Sequence, residues 1–136
     1  MNNSLKTFWL RSESKGHEFR RALTPIDCQK ILKKGHKVVV EDWADSIIPT
    51  ASYKDIGCTI VPAGSWTTEA PDDAVIIGLK ALPDSIEVIK HTHIYFAHCY
   101  KEQEGSKELM QRFHKGGGRI IDLEFMYDEN GRRTNA

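Results

Sequence analysis

Short apolar runs and helical patterns alternate along this chain. Leu5 to Leu10 (LKTFWL) is rich in aromatics and predicts a first strand. At Leu23-Thr24-Pro25 a helix should open: Thr24 suits the cap, Pro25 the first helical position, and Asp27 the first turn. Ile26, Ile31 and Leu32 are its expected inner stripe, and Lys33-Lys34-Gly35 its stop. Val38 to Val40 predicts a buried strand, Ala51 to Ile56 a helical turn ending at Gly57, and Cys58 to Val61 the next strand. Pro62 to Trp66 reads as a turn or loop. Ala74 to Leu79 is apolar at every position but Gly78, as a central parallel strand is, and His93 to Ala97 predicts another. Gly105 to His114 is amphipathic, with Leu109, Met110 and Phe113 as its apolar side. Gly116-Gly117-Gly118 turns the chain into a last strand, Arg119 to Leu123.

Strands interleaved with helices imply parallel pairing through crossovers. The expectation is an α/β fold: a single domain over residues 1–136 whose mostly parallel sheet is flanked by helices, in a Rossmann-like or flavodoxin-like layer architecture. No internal repeat or low-complexity linker divides it.

Composition narrows the function classes. The 136 residues are 40% apolar and 28% charged, as in globular domains. Nineteen basic and nineteen acidic side chains cancel, so no broad field favours a nucleic acid. Apolar runs such as Ala74-Val-Ile-Ile77 are strand-sized, far short of a membrane span, and the first residues lack a signal peptide's apolar core. Cys28, Cys58 and Cys99 are odd in number and widely spaced, which favours a reducing, cytoplasmic setting.

Ligands gather beyond the carboxyl ends of the strands in such a sheet. Lys80, His98 and Glu124 follow three predicted strands, and the loop after the first carries Arg11, Glu13, Glu18, Arg20 and Arg21. An arginine clamps a carboxylate, a lysine with a lowered pKa serves as a base, and histidine titrates near neutrality. This set suits proton transfers on a carboxylate-bearing substrate. The plainer reading makes Lys80 a solvated loop residue and Glu124 a partner of Arg119 or Arg132. In the segment His91 to Lys101 (HTHIYFAHCYK), His91 and His93 share one strand face and His98 points the other way. Nothing supplies a fourth ligand at a familiar spacing beside His91, His93 and Cys99, so no metal is expected. The triple glycine precedes a strand, whereas a dinucleotide fingerprint follows one, so no cofactor-binding residue is assigned within the chain.

The phrases ALTP (22–25), VPAGSW (61–66), IIGLK (76–80), HTHIYFAHCYK (91–101), DLEF (122–125) and NGRR (130–133) resemble, in order, the N-terminal half of the NAD-dependent, lysine-forming saccharopine dehydrogenases. These are grouped with alanine dehydrogenase and the nucleotide-binding subunit of transhydrogenase. The resemblance implies oxidative deamination: saccharopine, NAD and water give lysine, 2-oxoglutarate and NADH. It implies that Lys80 takes the proton of the substrate's secondary amine and that His98 is the acid–base group of imine hydrolysis. It further implies that Glu124 adjusts the lysine–histidine pair and that Arg20, with Glu18 nearby, meets the substrate. The family commonly has a glutamate after the lysine, where Ala81 stands here. Its members are more than twice as long, because a Rossmann domain supplying the NAD site follows NGRR. The implied partners are therefore an amino-acid substrate and a separate NAD-binding domain or subunit, or self-association over an exposed cleft. A stand-alone, non-catalytic paralogue binding a dicarboxylate or a partner protein is the alternative.

Overall fold

A computed structural model of the chain describes residues 5–13, 18–80, 82–83, 85–95 and 106–122. Six strands form one parallel sheet: β1 (Thr7–Leu10), β2 (Lys37–Glu41), β3 (Thr59–Val61), β4 (Val75–Ile77), β5 (Thr92–Tyr95) and β6 (Arg119–Asp122). Their order across the sheet is β3-β2-β1-β4-β5-β6, the order of dinucleotide-binding sheets. Helices α1 (Pro25–Lys33), α2 (Thr50–Lys54), α3 (Trp66–Glu69) and α4 (Ser106–Gly116) lie between strands in sequence. The parallel sheet expected from the sequence is the one formed.

Strand alternation divides the core into two layers. Leu10, Val38, Val40 and Ile77 point to one face, where Cys28 of α1 and Tyr53 of α2 pack on them. Trp9, Val39, Ile76 and Tyr95 point to the other, against Trp66 of α3 and Phe113 of α4. Burial on both faces explains why the strands read as unbroken apolar runs. The thiols of Cys28 and Cys58 are both free and buried in the first layer; burial pushes the Cys28 pKa up to about 12, so it is protonated at neutral pH.

Helix α1 starts as its sequence requires. Thr24 Oγ1 accepts from the Asp27 amide at 3.1 Å, and the Asp27 carboxylate accepts from the Thr24 amide at 2.9 Å, a complete capping box. Thr24→Ala should cost about 1 kcal/mol of unfolding free energy, read by urea denaturation. The expected stripe needs correction at its first member: Ile26 is exposed and Cys28 is buried instead. With the phase set by the cap, Cys28, Ile31 and Leu32 share one side, while Ile26 sits roughly 140° from Ile31.

Three other expectations shift. The first strand begins at Thr7, and Leu5 is exposed. Met110, one residue off the Leu109–Phe113 line of α4, is half exposed. The predicted loop at Pro62 to Trp66 ends in a helix, because Trp66 begins α3. Gly35 and Gly57 close their helical segments at φ 93° and 108°, in the left-handed region that glycine adopts without strain.

Candidate active site

Beyond the carboxyl ends of β1 and β4 lies the switch point of the sheet, where the strand order reverses direction. Leu10 is in register with Ile77, so the two exits leave the sheet side by side. Lys80 lies on the β4 exit and is about half exposed. Glu18 and Arg20, returning from the loop after β1, meet it there. The Glu18 carboxylate is nearly buried and accepts from Arg20 Nε at 3.0 Å and Nη2 at 3.2 Å. Its Oε1 also lies 3.7 Å from Lys80 Nζ. The Arg20 side-chain hydrogen bond holds the Glu18 carboxyl below its usual range, with the Lys80 charge a smaller contribution in the same direction. One buried carboxylate thus orders two solvent-facing cations, which leaves a positive excess at the mouth of the site.

Three of the predicted site residues are therefore brought together: Lys80, Glu18 and Arg20. His98 and Glu124 lie outside the described residues, as do Ala81 and Cys99. The remaining charges of the first loop are not free for substrate. Arg11 and Glu13 form a buried ion pair at 3.1 Å. Arg21 is buried between the rings of Trp43 and Tyr53, and donates to the Glu41 carbonyl at 2.6 Å and to Ser46 Oγ at 3.2 Å. The sequence placed all three with Arg20 at the ligand edge, and spacing alone did not separate them from it.

Glu41 was missed altogether. It ends β2 on the face of Val39, fully buried, and its carboxylate accepts five hydrogen bonds. The donors are the Trp9 indole, the Ser12 amide and hydroxyl, and the amides of Gly64 and Trp66. The signal was present in KVVVE, since a residue two beyond a buried valine shares its face.

This bears on the cofactor. In a dinucleotide-binding sheet a glycine-rich turn after β1 holds the pyrophosphate on free amides. Arg11, Ser12 and Glu13 stand there instead, and the Ser12 amide is already bound by Glu41. The described residues at this edge do not fit NAD.

His91, just before β5, and His93 within it are structural in their contacts. His91 Nε2 lies 3.2 Å from the Ala70 carbonyl oxygen, and His93 is wholly buried with its ring 4.8 Å from that of Trp66.

Known proteins resemble this chain in sequence and in fold. Residues 9–136 match the family model described as alanine dehydrogenase/PNT, N-terminal domain. The chain is 44% identical over 128 residues to the NAD(+), L-lysine-forming saccharopine dehydrogenase of Emericella nidulans, covering 94% of this chain and 34% of that protein. It is 47% identical over 131 residues to the enzyme of the same name from Candida glabrata, covering 96% and 35%. It spans about a third of the length of these relatives. A solved L-alanine dehydrogenase superposes with a TM-score of 0.73 at 19% identity, over 95% of this chain and 35% of that one, a likeness of fold.

Proposed function

The chain belongs to the alanine dehydrogenase/PNT N-terminal domain family, and from that premise we propose that it is the substrate-side domain of a saccharopine dehydrogenase-like oxidoreductase. The observation that carries the reading is the ordering of Lys80 and Arg20 on one buried carboxylate, Glu18, at the switch point of the sheet. Arg20 offers a planar, exposed fork to a substrate carboxylate. Lys80 is the base for the secondary amine, His98 the acid–base group for imine hydrolysis, and Glu124 the carboxylate that adjusts both. NAD, carried by another domain or subunit, supplies the hydride acceptor when bound against the substrate carbon. The work of this chain is to bind and orient an amino-dicarboxylate and to move its protons. It takes part in lysine metabolism in the cytoplasm; among the described residues no helix is long and apolar enough to cross a membrane.

The test is NADH formation from saccharopine and NAD, with the chain alone and joined to a candidate NAD-binding domain. Turnover is expected only in the joined form. There Lys80→Met and His98→Gln should each lower kcat by a factor of about a hundred or more. Unchanged rates would remove those roles. Saccharopine binding without turnover in any pairing would favour a non-catalytic binding module, the reading to which Ala81 lends weight.

A further inference from the structure

Lys80 has an exposed amine on an unusually constrained backbone. Its own amide donates to Glu13 Oε1 at 2.9 Å, and the Leu79 amide donates to Glu13 Oε2 at 2.9 Å. Its carbonyl accepts from Arg11 Nη2. Arg11 and Glu13 bond to each other as well, and each side chain is 1% exposed. The guanidinium reaches Lys80 by lying where a side chain at position 78 would stand: a Cβ on Gly78 would come within 2.6 Å of Arg11 Nε and Nη2. The guanidinium also lies 5.4 Å from the centre of the Tyr95 ring.

We propose that the Arg11–Glu13 pair, seated over Gly78, is a positioning device that fixes the β4 exit so that Lys80 stays beside Glu18. The significance of Lys80 rests on the functional reading above. A buried ion pair is a poor way to stabilise a fold, because desolvation offsets most of the attraction and apolar residues of similar size often do better. Here three of the pair's hydrogen bonds converge on residues 79 and 80. Arg11 and Glu13 sit two apart at the exit of β1, so strand alternation aims both at the same neighbour. Gly78 supplies the space. The three positions therefore act on one object, the backbone that carries the amine.

The experiment reads Lys80 directly, without turnover. Lysine amines are converted to carbon-13 dimethylamines, and the Lys80 resonance is assigned by its loss in Lys80→Gln. In the parent protein Glu18→Gln should move that resonance, because the two groups are adjacent. In the double variant Arg11→Met, Glu13→Leu the Glu18-dependent shift should fall at least about threefold, and the melting temperature should fall with it because the Leu79 and Lys80 amides lose their acceptor. Gly78→Ala keeps both charges but displaces the guanidinium, and should reduce the shift in the same way. Arg11→Lys, which retains a charge but cannot span Glu13 and the Lys80 carbonyl together, decides the matter if the other two do not fold. A Glu18-dependent shift that survives in every folded variant would overturn the proposal and leave the pair a purely structural one. Unchanged turnover in Lys80→Met would instead sink the catalytic role of Lys80 and leave the coupling result standing.

Discussion

Glu41→Ala should unfold this domain or leave it barely stable, with a loss of about 5 kcal/mol. The carboxylate is wholly buried, and the five hydrogen bonds it accepts come from four separate places. Trp9 Nε1 at 2.8 Å belongs to the centre of the sheet, and the Ser12 amide at 2.9 Å and hydroxyl at 3.0 Å to the β1 exit. The Gly64 amide at 2.8 Å belongs to the turn after β3, and the Trp66 amide at 2.9 Å opens α3. Ser65, the residue before α3, makes no side-chain cap bond, so Glu41 does the capping from a neighbouring strand. Alanine would strand the Trp66 amide and the Trp9 indole N–H in a dry layer and leave the part-buried Ser12 and Gly64 amides without their acceptor, at roughly 1–3 kcal/mol for each donor that finds no water. Against a total stability of about 5–15 kcal/mol, that is a large share of what the fold has. Glu41→Gln keeps the volume but turns an NH2 toward donors, and should cost about 2 kcal/mol. Urea denaturation followed by tryptophan fluorescence reads both. A midpoint for Glu41→Ala that corresponds to less than about 1 kcal/mol would show that the donors are satisfied without the carboxylate.

The same residue shows where the sequence was legible and where it was not. Runs such as Val38-Val39-Val40 and Val75-Ile76-Ile77 declare buried parallel strands by chemistry alone, and the Thr24-Pro25-Asp27 start declares a helix, because these are local rules. Lys80 was legible as a candidate because topology sends strand exits to one edge, whereas Arg20 stood out from the other loop charges only through the family resemblance. What stayed hidden depends on distant partners. Six charged residues crowd the loop after β1, and only packing against Tyr95, Trp43 and Tyr53 makes Arg11 and Arg21 structural while leaving Arg20 in solvent. Trp66 read as loop because its capping carboxylate is 25 residues away. Ile26 read as core because hydrophobicity was weighed before helical phase, whereas Cys28 carries the burial.

His93 yields the second large effect, and its sign follows from its surroundings. The imidazole is 0% exposed, and neither ring nitrogen has a hydrogen-bond partner among the described residues. Trp66 stands 4.8 Å away, Phe113 5.5 Å, and Tyr95 and His91 each 6.3 Å, all edge-on. Burial, with smaller contributions from the charges of Arg11, His91 and Arg112, pushes its pKa from 6.5 down to about 3. The unfolded chain therefore takes up a proton as pH falls through 6.5, and the native protein does not until about 3. Stability present at neutral pH is lost across that interval, by up to about 5 kcal/mol at its acid end. His93→Leu removes the titration and two unpartnered polar atoms together. It should be about 1–3 kcal/mol more stable than the parent at pH 7, with a flatter acid limb. Glu18, whose pKa is lowered by Arg20, also withdraws stability in acid, but only as pH falls below its ordinary value of 4.5. It is common to both proteins and cancels in their difference. The difference between the two denaturation free energies should therefore widen as pH falls from about 6.5, before any carboxylate contributes. Parallel curves would mean that His93 keeps its proton affinity on folding, which requires a buried water on one of its nitrogens.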